Sequence, residues 1–178
     1  DGSVVNDGSD VTFTGTATDD EDSDWLLGVL WASDLDATLN TESPDTTGAL
    51  SFSTSGLSVG THTITLSATD SDAQTSTASI ELTINGLPSA PGVAITPDPA
   101  ATTDDLTATI TADSVDPDGD EVTYTYAWTL GGASTVYAGA TVPSSATTSG
   151  DVWSVTVTAH DEYGTGGSAT ADITVVNT

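Results

Sequence analysis

Four acidic residues fall within six positions, Asp116 to Glu121, in the stretch "SVDPDGDEVTYTYAW" (114–128). The spacing Asp116-x-Asp118-x-Asp120 offers several hard carboxylate oxygens close together, a donor set suited to Ca²⁺. Two other chemistries compete for the same residues. A carboxylate pair can hydrolyse glycosides, but one carboxyl must then sit in an apolar pocket with a raised pKa, beside a substrate cleft. Here the carboxylates lie among other acids, Ser and Gly, in a sequence that forms exposed turns, so the expected chain is non-enzymatic. The third reading is a solvated turn, because Asp-Pro and Asp-Gly bond their own backbone. The cation site and the turn both stand at this point. The loop is not an EF-hand: counting from Asp116, position 6 is Glu121 instead of Gly and position 12 is Ala127 instead of Glu.

His62, in "GTHTITL", and His160, before Asp161, are the remaining candidates for metal or nucleophile chemistry. They fall in different halves of the chain with no Cys beside them, and neither G-x-S-x-G nor H-E-x-x-H occurs. Structural or surface roles are expected for both.

The charge balance narrows the function further. The chain has 178 residues, 27 acidic ones, no Lys or Arg and two His, for a net charge of −27. No Arg or Lys ion pair can form, so self-repulsion must be relieved by solvent, salt or bound cations. Nucleic acid and anionic membrane surfaces are excluded as partners, since no cationic side chain can meet a phosphate. There is no Cys and hence no disulfide framework. No apolar run is long enough to insert into a membrane. The missing Lys and Arg remove every trypsin site, which suits an extracellular location.

The elements that must position these residues are strands. "DVTFTGTAT" (10–18), "GTHTITLSAT" (60–69), "TASIELTIN" (77–85), "DLTATITAD" (105–113), "EVTYTYAW" (121–128), "DVWSVTVTAH" (151–160) and "ATADITVVN" (169–177) all alternate with period two. Short, evenly spaced strands predict an all-β sandwich. The chain also repeats itself. Asp20-x-Asp22-x-Asp24 aligns with Asp116-x-Asp118-x-Asp120, Trp31 with Trp128, and Asp70 with Asp161. Two tandem immunoglobulin-like domains are predicted, 1–86 and 87–178, joined end to end through the Gly/Pro seam "NGLPSAP" (85–91). Trp31 and Trp128 fall where such sandwiches bury a tryptophan. Trp153 shares a face with Val155 and Val157 and is expected in the core, whereas Trp25 follows an acidic loop and is free to cover it or meet a neighbour.

The motifs "DGSVV", "VTFTGTATD", "SDLD" and "LSVGTHTITLSATDSD" in the first half, and "DPDGD", "VTYTYAW" and "GDVWSVTVTAHDEYG" in the second, resemble the Ig-like repeats of large bacterial and archaeal surface proteins, the PKD/cadherin-like group. The resemblance covers nearly the whole chain and is diagnostic of fold class, not of one function. It implies that the B–C and F–G loops share one end of each sandwich. Asp161 would then join Asp116, Asp118 and Asp120, and Asp70 (with Asp72) would join Asp20, Asp22 and Asp24, around Ca²⁺ sites that stiffen joints between repeats. It also implies that most of the first strand of domain 1 is missing, to be supplied by preceding chain or by a neighbour. The expected function is a non-enzymatic, extracellular structural or adhesive repeat unit, in a large surface protein or a filament assembled head to tail. Its partners would be copies of itself or adjacent repeats, and surface glycans. The competing reading is an accessory glycan-binding or spacer module of a secreted hydrolase.

Overall fold

The computed structural model describes residues 2–177. They divide into two compact units, Asp1–Gly86 and Leu87–Thr178. Unit 1 holds β1 (Ser3–Asn6), β2 (Val11–Thr16), β3 (Gly28–Ser33), β4 (Ala37–Asn40), β5 (Ala49–Thr54), β6 (Gly60–Thr69) and β7 (Thr75–Asn85). A five-stranded sheet, β1-β7-β6-β3-β4, faces a two-stranded one, β2-β5. Unit 2 holds β8 (Gly92–Thr96), β9 (Ala100–Ala101), β10 (Leu106–Ala112), β11 (Thr123–Leu130), β12 (Ala133–Ser134), β13 (Thr141–Val142), β14 (Val152–His160) and β15 (Thr165–Val176). Its sheets are β12-β11-β14-β15-β9 and β13-β10-β8. Each unit is an immunoglobulin-like sandwich. Among the described residues, helical turns are confined to Asp24–Leu26 and Ser144–Ala146, and no helix is long and apolar enough to cross a membrane.

Alternation builds both cores. In β14 the inward residues Trp153, Val155, Val157 and Ala159 are buried, while their neighbours in sequence are half-buried or exposed. The Trp128 ring packs edge-on against Trp153, centroids 6.3 Å apart, and Tyr137 meets Trp153 at 5.9 Å. Trp128 donates its indole N–H to the Gly139 carbonyl at 2.9 Å, the partner a buried tryptophan needs. In unit 1, Trp31, Phe13 and Phe52 form one cluster with centroid separations of 5.2 to 6.0 Å. Trp31, Trp128 and Trp153 are therefore core residues, whereas Trp25 is 49% exposed.

The seam read as a linker is packed. Asn85 ends β7, is buried, and donates its side-chain amide to Asn6. Pro88 is fully buried, and its carbonyl accepts the Gly167 N–H. Gly and Pro mark this segment because the chain turns there against its own sandwich, not because it is free.

Replacing Trp128 by Ala should destabilise unit 2 by about 3–5 kcal/mol, the usual cost of emptying a buried aromatic site. Urea unfolding followed by tryptophan fluorescence measures it, and a loss within error of zero would contradict this core assignment.

Candidate functional site

The acidic loop of unit 2 joins β10 to β11. One oxygen of Asp116 organises it: Oδ1 accepts the N–H groups of Asp118 (3.2 Å), Gly119 (3.0 Å) and Asp120 (3.1 Å). Gly119 permits so tight a wrap with a φ of +86°. The loop is clipped at its base, where Ser89 and Val115 exchange bonds: Ser89 N–H to the Val115 carbonyl, and Val115 N–H to Ser89 Oγ. The Ser114 N–H also reaches the Tyr124 hydroxyl oxygen at 2.8 Å.

With Oδ1 fully engaged, the second oxygen of Asp116 faces inward. Asp116 Oδ2 is buried without a hydrogen-bond partner, as is Ser114 Oγ in the same loop. Asp116, Asp118 and Asp120 each place a carboxylate oxygen within 4.8 Å of the others. Burial pushes the Asp116 carboxyl up, but hydrogen bonds from the Asp118 carboxyl and from the N–H groups of Asp120, Asp118 and Gly119 outweigh it, and Asp116 lies below the usual carboxylate range. A bond between two carboxyls needs a proton between them. When both are ionised, the two repel unless a cation or a bridging water stands between them. The donor set is all oxygen, and one buried oxygen is unpaired, so these residues fit a hard divalent cation.

Asp161 lies outside this group of three. Its Oδ1 accepts the N–H groups of Tyr163 (2.7 Å) and Gly164. It lines a shallow pocket of about 290 Å³ with Glu162, Thr123, Glu121 and Asp120, so of the three clustered aspartates Asp120 is the one that shares this pocket.

Unit 1 does not gather Asp20, Asp22, Asp24 and Asp70 into such a group among the described residues. The reason is local hydrogen bonding. Asp19, not Asp20, does what Asp116 does: its Oδ1 accepts the N–H groups of Glu21 (2.9 Å) and Asp22 (2.7 Å), and these bonds hold its carboxyl below the usual range. Asp24 accepts from Asp19, Asp22 from Ser71, and Asp70 from Gln74. Asp22, Asp24 and Asp70 thus serve as backbone acceptors.

A second polar cluster escaped the pairing of sequence motifs, although "SDLD" and "LSVGTH" carry its residues. His62 is 0% exposed in the unit 1 core. Its Nε2 lies 2.7 Å from the Ser58 carbonyl, which can only accept, so Nε2 carries the proton. Its Nδ1 bonds the Ser33 hydroxyl at 2.7 Å, with Asp36 3.6 Å away. Ser33 Oγ in turn accepts the N–H groups of Leu35 and Asp36. Ser, His and Asp meet here, but Ser and Asp share one edge of the imidazole and the other edge is spent on a carbonyl. A nucleophile triad needs them on opposite edges, so this arrangement fastens the β3–β4 turn to the start of β6. His160 bonds Thr125 and Thr165 across its strands.

The lowered pKa fixes a pH dependence. Asp116 stabilises the fold above its unfolded value of 3.8, and that contribution disappears as pH falls through the lower folded value. In chelator, Asp116→Asn should therefore be less stable than the parent at pH 6, and the gap in urea midpoint should close as pH falls below 3.8 and through the lower folded value. A gap independent of pH would show that the loop does not require the charge.

No protein-family model matches the chain, and no curated protein matches its sequence. Solved structures do. Domains of titin superpose with a TM-score of 0.54 at 16% identity, covering 98% of this chain and 62% of that one. The N-terminal eight Ig domains of Down Syndrome Cell Adhesion Molecule give 0.49 at 18%, covering 99% and 26%. The fibronectin(III)-like modules of Clostridium thermocellum CbhA give 0.40 at 16%, covering 99% and 90%. At such identities the likeness concerns the fold alone. The chain is an all-β protein of immunoglobulin-like sandwiches.

Proposed function

We propose that this chain is a non-enzymatic, extracellular structural or adhesive repeat unit, with Ca²⁺ bound at the acidic loop of unit 2. The observation that carries the cation is the buried, unpaired Oδ2 of Asp116 beside the carboxyls of Asp118 and Asp120. In a chain without Lys or Arg, no side chain other than His can neutralise that cluster, which makes a solvent cation the natural counter-charge. Asp116 and at least one of Asp118 and Asp120 would hold the ion, with carbonyls and water completing the shell. Asp161 would act from the neighbouring loop through the pocket it shares with Asp120. The ion would supply charge neutralisation and rigidity, not chemistry.

The repeat-unit reading draws on the fold. Two sandwiches follow one another in one chain, their polar loops are held by backbone bonds, and the buried His62 cluster is a fastening. The partners we infer are neighbouring copies of the chain or adjacent repeats of the same architecture, arranged head to tail along a surface protein or filament.

Thermal melting tests the cation. With free Ca²⁺ at 100 times its Kd, linkage adds about 2.7 kcal/mol to the stability of the unit that binds it. For a unit of this size that should raise the upper limit of melting by roughly 10 °C or more. EDTA should reverse the shift, and Asp116→Asn should abolish it. An unchanged melt across millimolar Ca²⁺ sinks the cation. Electron microscopy of native material should reveal filaments or extended surface layers, and strictly monomeric particles would contradict the assembly.

A further inference from the structure

The two units differ in one element. In unit 2, β8 pairs antiparallel with β10, matching Ile95 to Ala108 and Val93 to Ile110. Ile95 is buried in the core, and Val93 packs against it. The preceding Pro88–Ala90 runs against β15 so closely that a Cβ on Gly166 or Gly167 would collide with it. In unit 1, β2 is the counterpart of β10, since each pairs with the strand that completes its sheet and each supplies buried residues to the core. Among the described residues β2 pairs with β5 alone, and nothing stands where β8 would stand.

The gap is visible in the core. Ile64 and Ile80 are cross-strand partners and share a face, yet Ile64 is 1% exposed and Ile80 is 43% exposed. Leu66 and Ala68 are half-buried, whereas Val157 and Ala159, at the matching positions of β14, are 0% exposed. A groove of about 520 Å³ opens there, with an apolar floor of Leu27, Leu66, Ala68 and Ala78, hydroxyl side chains of β2 and β7 along its walls, and Asp19 and Asp70 among its lining. The β7 edge is open along the same groove from Thr75 to Ile80: β1 pairs with Leu82–Asn85, the Gly2 N–H reaches the Glu81 carbonyl, and Thr75–Ile80 are exposed throughout.

We propose that this groove is an acceptor for one added β-strand, supplied by a polypeptide segment lying outside residues 2–177. The occupant is an extended peptide that pairs antiparallel with β2 and lays alternate Val- or Ile-type side chains on Leu66, Ala78 and Ile80. Main-chain bonds to an open edge give such pairing its affinity, and pockets for alternate side chains give its specificity. Unit 2 shows the chemistry required, because its own 88–96, "PSAPGVAIT", fills the matching place with no charged residue. An acidic residue near Asp19 and Asp70 would be repelled. Thr75 and Ser76 stand where unit 2 has Gly166 and Gly167, so the occupant's leading residues pass farther from β7 than Pro88–Ala90 pass from β15. The inference is independent of cation binding.

The test is run in EDTA. The probe is a synthetic peptide of sequence PSAPGVAIT, added in excess and also fused ahead of residue 1 through a short Gly/Ser linker. In the fused chain, amide exchange across Val11–Ala17 should slow by roughly tenfold or more. The free peptide should slow the same amides in a saturable way. A control peptide carrying Asp at the places of Val93 and Ile95 should do neither, and Ile80→Asp, at an exposed position, should abolish protection without unfolding unit 1. Unchanged exchange in the fused chain overturns the proposal. So does a dimer of the unfused chain that already protects β2, since the occupant would then be a second copy.

Discussion

Every carboxylate in this chain must be satisfied without a cationic side chain other than histidine. With 27 acidic residues and no Lys or Arg, the ordinary remedy of ion pairing is missing, and the backbone takes over. Asp19, Asp45, Asp70, Asp104, Asp105, Asp116, Asp151 and Asp161 all accept main-chain N–H groups in loops and turns. Such bonds favour the ionised form. Ser58 acts first on Asp36, Thr47 on Asp45 and Ser144 on Asp105, and all three carboxyls are lowered. Strand faces follow the same rule: where many sheets place cross-strand ion pairs, this one places hydroxyls. Thr12 meets Ser53, Thr61 meets Thr83, Thr69 meets Thr75, and Thr156 meets Thr170. These pairs join strands without adding charge.

That arrangement separates the molecule's two tasks. The cores are built mainly of hydrocarbon and aromatic side chains around Trp31 and Trp128, with the hydrogen-bonded His62 as the buried polar exception in unit 1. The acids crowd into loop ends, where backbone N–H groups can be aimed at them. Repulsion is greatest where those groups run out, and at Asp116 one buried oxygen is left unpaired. The proposed cation belongs at that point because both the backbone and the side chains have been exhausted there. The open groove of unit 1 is a separate matter, since it follows from the strand that β2 lacks beside it.

Much of this was legible in the sequence, for identifiable reasons. Period-two alternation marked the strands, and it placed Trp153 on the same face as Val155 and Val157 because a strand has no other periodicity. The Asp116, Asp118, Asp120 group was legible because a short loop around a glycine leaves its carboxylates nowhere else to go. Its supposed counterpart was not. The unit 1 loop carries a helical turn at Asp24–Leu26, and the wrapping role passes to Asp19, a shift that depends on loop conformation and not on spacing. Ser33, Ser58 and His62 meet only once β3 and β6 are paired, so no local pattern announces them. Asp161 shared the expected end of the sandwich, but its own turn captured its Oδ1.

The central claim is that a cation replaces the missing counter-charge at Asp116. A crystal structure at neutral pH with millimolar CaCl₂ tests it most directly. The account predicts an anomalous peak bonded to Asp116 Oδ2 and to at least one of Asp118 and Asp120. A clear map with no metal peak, and Asp116 Oδ2 bonded instead to water or to a protonated Asp118, would contradict it.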